Sequence, residues 1–202
     1  MSDGFFHWYR GAWSADSAKH LVATFEAAGI TLANPSTGVI TTITNGPESW
    51  GEQIPVGRSD LFTGLALRSV DEANFQLWLD GDTDVFTRVR RFDRLLKPGG
   101  DEVVVEFGLD GMTAKEREAV VHAAWQAVVS DREDTIGFVL DRRGITEDVD
   151  WDGLVTGAGV RWDEWPDLLG VRPEVAARHV QLAQAVGRVE PPLTMFGTTL
   201  GT

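Results

Sequence analysis

The chain has no cysteine, and that absence removes disulfides, thiolate metal sites and cysteine nucleophiles together. Positive charge is scarce: 18 lysines and arginines stand against 31 aspartates and glutamates, a formal charge of −13. Proteins that bind nucleic acid neutralise its phosphates with basic side chains, so nucleic acid is disfavoured as a partner. An anionic membrane surface is disfavoured for the same reason. No apolar run approaches the roughly 18 residues that a membrane helix needs. The opening residues, MSDGFFHWYR, carry an acid and no basic segment ahead of an apolar run. No secretory leader is expected, and the cytoplasm is the default compartment.

The usual catalytic signatures are also missing. No G-x-S-x-G elbow occurs, and Gly57-Arg58-Ser59-Asp60 is only a fragment of one. Gly157-Ala158-Gly159 is followed by Trp162 where a dinucleotide loop requires a third glycine. The four histidines, at 7, 20, 122 and 179, show no H-x-x-x-H spacing.

What is present is an ordinary globular composition, 43% hydrophobic and 24% charged over 202 residues, enough for one sizeable core. FFHWYRGAW (5–13) suggests a first strand, and Ser14 suggests the cap of a helix reaching about Ala28, with Gly29 to end it. Leu21, Val22, Phe25 and Ala28 share one face of that helix. VITTITN (39–45), LFTGLAL (61–67), FQLWLD (75–80), DVFTRVRRF (84–92) and VVVEFGL (103–109) are strand candidates. Turns are expected at Asn45-Gly46-Pro47 and at KPGGD (97–101). Thr113 and Glu116 make a capping box ahead of a helix from 114 to about 129. TIGFVLD (135–141) reads as a returning strand, and Pro173 opens a helix that closes near Gly187.

The fold class expected is α+β: an antiparallel or mixed sheet of about five to seven strands, two or three helices, and a less regular helical C-terminal part. Residues 1–190 are expected to form one domain. Within it, 141–190 is a possible helical appendage with its boundary near 141–147, and 191–202 is a tail that docks or stays loose.

Three stretches carry the functional expectations. In DVDWDGL (148–154), Asp148, Asp150, Asp152 and Gly153 occupy positions one, three, five and six of a calcium-loop pattern, and Leu154 would lend its carbonyl. Gly159 stands where the bidentate glutamate should be. The competing reading is structural: Thr146 caps a short helix with Glu147 and Asp148 in its first turn, and Trp151 packs inward. A second trio, Asp80, Asp82 and Asp84, reads as a hairpin tip, because Asp80-Gly81 is a turn dipeptide and Val85 replaces the required glycine.

RWDEWPD (161–167) interleaves Trp162 and Trp165 with Asp163, Glu164 and Asp167, an aromatic anchor inside an acidic rim. Trp125, on the apolar stripe of its helix, is expected in the core. Arg88, Arg90, Arg91, Arg94 and Lys97 concentrate positive charge. Arg88, Arg90, Phe86 and Phe92 share a strand face, and this cluster is expected to meet the acidic C-terminal third rather than an external anion.

These observations favour an acidic binding protein without catalytic activity, of neutralising or adaptor type, which engages a more basic protein partner. The partner-binding candidates are Asp148, Asp150, Asp152, Trp162, Asp163, Glu164, Trp165 and Asp167. Bacterial immunity proteins share this general character, though no residue motif links the chain to them. Two alternatives stay open: a carboxylate-dependent hydrolase of a carbohydrate-like substrate, and a domain stabilised by calcium at Asp148, Asp150 and Asp152. No other cofactor is expected.

Overall fold

The computed structural model describes residues 4–44, 51–67, 70–91 and 102–197. A ten-stranded sheet spans the molecule, and every strand pairing in it is antiparallel. In chain order the elements are β1 (Phe5–Arg10), α1 (Ala15–Ala27), β2 (Thr41–Ile43), β3 (Gln53–Pro55), α2 (Arg58–Leu65), β4 (Glu72–Trp78) and β5 (Asp84–Arg91). Then come β6 (Val103–Gly108), α3 (Ala114–Ser130), β7 (Thr135–Asp141), α4 (Trp151–Thr156), β8 (Leu168–Val171), α5 (Pro173–Arg178), α6 (Val180–Gln184), β9 (Arg188–Glu190) and β10 (Leu193–Gly197). The spatial order is β3-β2-β4-β5-β6-β1-β7-β8-β10-β9.

The class is α+β as expected, but ten strands exceed the expected five to seven and six helices exceed two or three. The additional strands are short and follow no alternation. β8, LLGV, is buried at all four positions, so its two faces look alike in sequence. LFTGLAL (61–67) was expected as a strand, but residues 61–65 instead close α2. Leu61, Phe62 and Leu65 are its buried residues, a helical spacing that a short apolar run does not separate from a strand. The helix expected from Pro173 to near Gly187 breaks at His179, whose backbone is extended between α5 and α6. The segment from 141 to 190 supplies two strands of the sheet, β8 and β9, besides α4–α6. The segment after 191 supplies β10, seated between β8 and β9. The turns expected at 45–47 and 97–101 lie outside the described residues.

Capping chemistry explains the two long helices. Ser14 Oγ accepts from Ser17 N at 3.2 Å, and Thr113 with Glu116 forms the reciprocal box, with Thr113 N donating to Glu116 Oε2 at 2.6 Å. Helix α3 carries the chain from β6 to β7, leaving a gap that β1 fills, antiparallel to both. The first strand of the chain thus lies inside the sheet.

The two faces are covered differently. One buries Phe6, Trp8, Phe75, Leu77, Val89, Val105 and Phe107 in a core shared with α1, α2 and α3. Trp125 is partly buried against it, with its ring 5.3 Å from Phe138. The other face buries Tyr9, Val139, Leu169, Val171 and Phe196 with Trp151, Leu154, Val175 and Leu182 from α4–α6.

Strand register makes the second face continuous. Gln53, Ile43, Asn74, Arg88, Glu106, His7, Val139, Leu169 and Phe196 are successive cross-strand partners from β3 to β10. The row is apolar from Val139 onward and polar from Asn74 to His7. The polar half is where a site has to be sought.

Candidate functional site

In DVDWDGL the aspartates do not converge. Asp150 caps α4, its Oδ1 accepting from Gly153 N at 2.9 Å. A Cβ at position 153 would collide with that carboxylate, so the glycine belongs to the cap. Asp152 turns to the sheet, where it receives Arg90 at 2.6 and 3.0 Å and Tyr9 Oη at 2.9 Å. Asp148 is exposed, without an ion pair among the described residues. Among the described residues no group of three or more His, Asp or Glu is arranged to hold a metal ion. Thr146 was expected to cap the helix. It binds the buried Asp141 instead, whose carboxylate also gathers the backbone N–H groups of Arg143, Gly144 and Thr146. Trp151 does pack inward, with its Nε1 donating to Thr146 O at 3.0 Å.

Contact between the basic cluster and the acidic C-terminal third is present through Arg90 and Asp152. Arg88 goes elsewhere, bracketed by Glu72 and by Glu106 at 3.6 Å. Glu106 also accepts from Arg90 Nε at 2.7 Å. Phe92, Arg94 and Lys97 lie outside the described residues. Arg91 points away and donates to Leu67 O. The second aspartate trio forms the expected hairpin tip, where Asp80 Oδ1 accepts from Asp82 N and Thr83 N between β4 and β5.

Burial shifts the protonation of this polar row. It holds the His7 imidazole neutral and lowers its pKa to about 4, against the opposing pull of Asp152. It raises Tyr9, reinforced by the Asp152 carboxylate that the phenol touches. It raises Glu106, although Arg90 and Arg88 pull the other way. Burial disfavours the Arg90 charge, but hydrogen bonds and attraction from Asp152 and Glu106 outweigh it and raise its pKa. Glu106 is therefore a half-buried acid in an arginine-held network. Sequence reading missed His7, Tyr9, Glu72 and Glu106. Their signal, polar residues on alternate positions of strands with two covered faces, emerges only when strand order is known.

The indoles of RWDEWPD form a stepped contact. Trp162 is 5% exposed, with its ring 5.6 Å from Trp151, 5.4 Å from Trp165 and 4.9 Å from His179, on which it stacks. This contact brings the 148–152 and 161–167 segments together. Trp165 is 38% exposed and leans on Phe196 at 6.3 Å. Asp163 and Glu164 are exposed and form no ion pair among the described residues. Asp167 is bound internally, its Oδ2 accepting from Arg142 N at 2.7 Å. A cavity of about 520 Å³ opens beside them, lined by Trp162, Asp163, Arg178, His179 and Gln181 among others.

Of the eight candidates, then, Asp148, Asp163, Glu164 and Trp165 present free side-chain surface. Asp150, Asp152, Trp162 and Asp167 hold local structure. No helix among the described residues is long and apolar enough to cross a membrane. No protein-family model, no curated protein and no solved structure matches the chain.

Proposed function

We propose that this is an acidic binding protein, without catalytic activity of its own, that engages a more basic protein partner. One observation carries the reading: Trp165 offers a half-exposed ring, seated on the buried Trp162, next to the exposed carboxylates of Asp163 and Glu164, which form no ion pair among the described residues. An indole held from behind loses little side-chain freedom on binding, which suits an anchor. Unpaired carboxylates beside it attract a basic surface and hasten encounter. Asp148 and the capped turn at Asp150 extend this charge, because the Trp151–Trp162 contact places the two segments side by side.

The test compares proteins retained from extract of the native host by the immobilised parent chain and by an Asp163→Asn/Glu164→Gln/Trp165→Ala variant. A basic protein should be held by the parent at low salt, released at high salt, and not held by the variant. Equal retention by parent and variant, or retention indifferent to salt, would overturn the reading.

A further inference from the structure

The polar half of the second sheet face contains a cleft of about 360 Å³ over β2 to β5, floored by Ile43, Asn74, Gln76, Asp84 and Phe86, with Gln53 at its edge. We infer that it binds a guanidinium group, such as the side chain of an arginine presented by another molecule. Volume alone places it near the lower end of small-ligand pockets. The lining chemistry specifies more.

First, the lining holds two hydrogen-bond acceptors with room for a donor, Asn74 Oδ1 and one oxygen of Asp84. Asn74 is 4% exposed and gives its Nδ2 to Glu72 Oε1 at 3.1 Å, which leaves Oδ1 without a donor among the described residues. Gln76 is internally satisfied: Thr41 Oγ1 donates to its Oε1 at 2.5 Å, and its Nε2 donates to Asp84 Oδ2 at 2.8 Å. That last bond fixes Asp84 in place and takes only one of its carboxylate oxygens. Asp84 has no ion pair among the described residues.

Second, an aromatic face is available. Phe86 is 39% exposed, neighbours Gln76 across the strands, and lies against Gly108, which has no side chain to cover it. A ring beside a fixed carboxylate suits a flat, delocalised cation, which stacks on the ring and donates in its own plane.

Third, the local charge is right. Arg88, the cross-strand neighbour of Asn74, is already bracketed by Glu72 and Glu106, and Arg90 by Glu106 and Asp152. With Asp84 this face carries four carboxylates against two guanidiniums, so an incoming anion would meet no uncompensated cation. A sugar would find the ring and the amides, but it has no positive charge to match Asp84. The cleft and the Trp165 patch share no residue.

The test is a two-dimensional NMR titration of the full chain with N-acetyl-argininamide, its uncharged isostere N-acetyl-citrullinamide, and methyl glucoside. The arginine derivative should give saturable shifts at the side-chain amides of Gln53, Asn74 and Gln76. The citrulline derivative should bind about tenfold more weakly, the size of one lost charge-assisted contact. Asp84→Asn keeps the acceptor for Gln76 and should lose a similar factor. Phe86→Leu should lose about threefold, since it keeps apolar surface but not the ring. Equal binding of arginine and citrulline derivatives, preferential binding of the glucoside, or no saturable shift would each overturn the inference. The Asp163→Asn/Glu164→Gln/Trp165→Ala variant should titrate like the parent, so failure here and failure of the partner-binding reading are separable.

Discussion

The row from Gln53 to Phe196 crosses nine strands of one sheet face, and its chemistry changes at His7. On one side Val139, Leu169 and Phe196 meet α4–α6 and exclude water by apolar contact alone. On the other, Asn74, Arg88 and Glu106 lie on the same pleat, yet charge pairing and hydrogen bonds order them. The backbone is common to both halves, so the difference lies in what the side chains require from above. An apolar half needs a lid with no particular chemistry, and three short helices provide it. A polar half needs partners in specific places, and where one is missing the deficit stays localised at atoms such as Asn74 Oδ1 and His7 Nδ1.

Swapping characters between the halves should produce the largest effect. Leu169→Asn places an amide where nothing can bond to it and removes apolar contact, and should cost about 3–4 kcal/mol in denaturant unfolding. Asn74→Leu removes the undonated oxygen together with one bond to Glu72, and should stay within about 1 kcal/mol of the parent. Equal costs would erase the distinction drawn between the halves.

The boundary residue has its own signature. His7 has a depressed pKa of about 4 when folded, against 6.5 for the free side chain. Between those values the unfolded chain binds more protons, so this contribution is complete above about pH 6.5 and declines as the pH falls toward 4. It amounts to about 3 kcal/mol by the conversion of pKa shift to free energy. His7→Gln should lack this component, read as the difference between parent and variant stabilities across that window. The raised Glu106 acts in the opposite sense and is common to both proteins, so it drops out of the difference. Parallel pH profiles for the two would contradict a neutral buried imidazole.

The strap between halves comes next. Asp152→Ala removes one acceptor from the Tyr9 hydroxyl and one from the edge of Arg90, while Glu106 still holds the guanidinium. A loss of about 2 kcal/mol is expected, less than for a fully buried pair left half-broken, because Arg90 and Asp152 both keep some contact with water. Asp152→Asn should recover part of it. The smallest effect belongs to the exposed indole: Trp165→Ala should change stability by less than about 1 kcal/mol. A larger loss would mean that this ring serves the core.

Elements with a strong local signature were legible in the sequence. The Ser14 cap and the Thr113–Glu116 box mark α1 and α3, and the Asp80-Gly81 tip marks the β4–β5 hairpin. Legibility failed where tertiary contact decides. LFTGLAL carries both periods and becomes a helix. LLGV has no alternation because both of its faces are covered. Asp150, Asp152 and Gly153 fit a cation loop by spacing, yet a capping bond and a reach to β5 separate the two carboxylates. Trp162 and Trp165 look equivalent in RWDEWPD, and only packing makes one a support and the other a surface. The sheet-face cleft was not legible at all, because Ile43, Asn74 and Asp84 meet only when three strands are placed in order.

The inward position of β1 has a consequence for synthesis. Phe5–Arg10 leaves the ribosome well before either of its sheet neighbours, the first of which is made after roughly a hundred further residues. Until then a ribbon of phenylalanine, tryptophan and tyrosine has no edge to join. A growing chain of this design carries its most aromatic segment unpaired through that interval, and its sheet is complete only when β10 has followed.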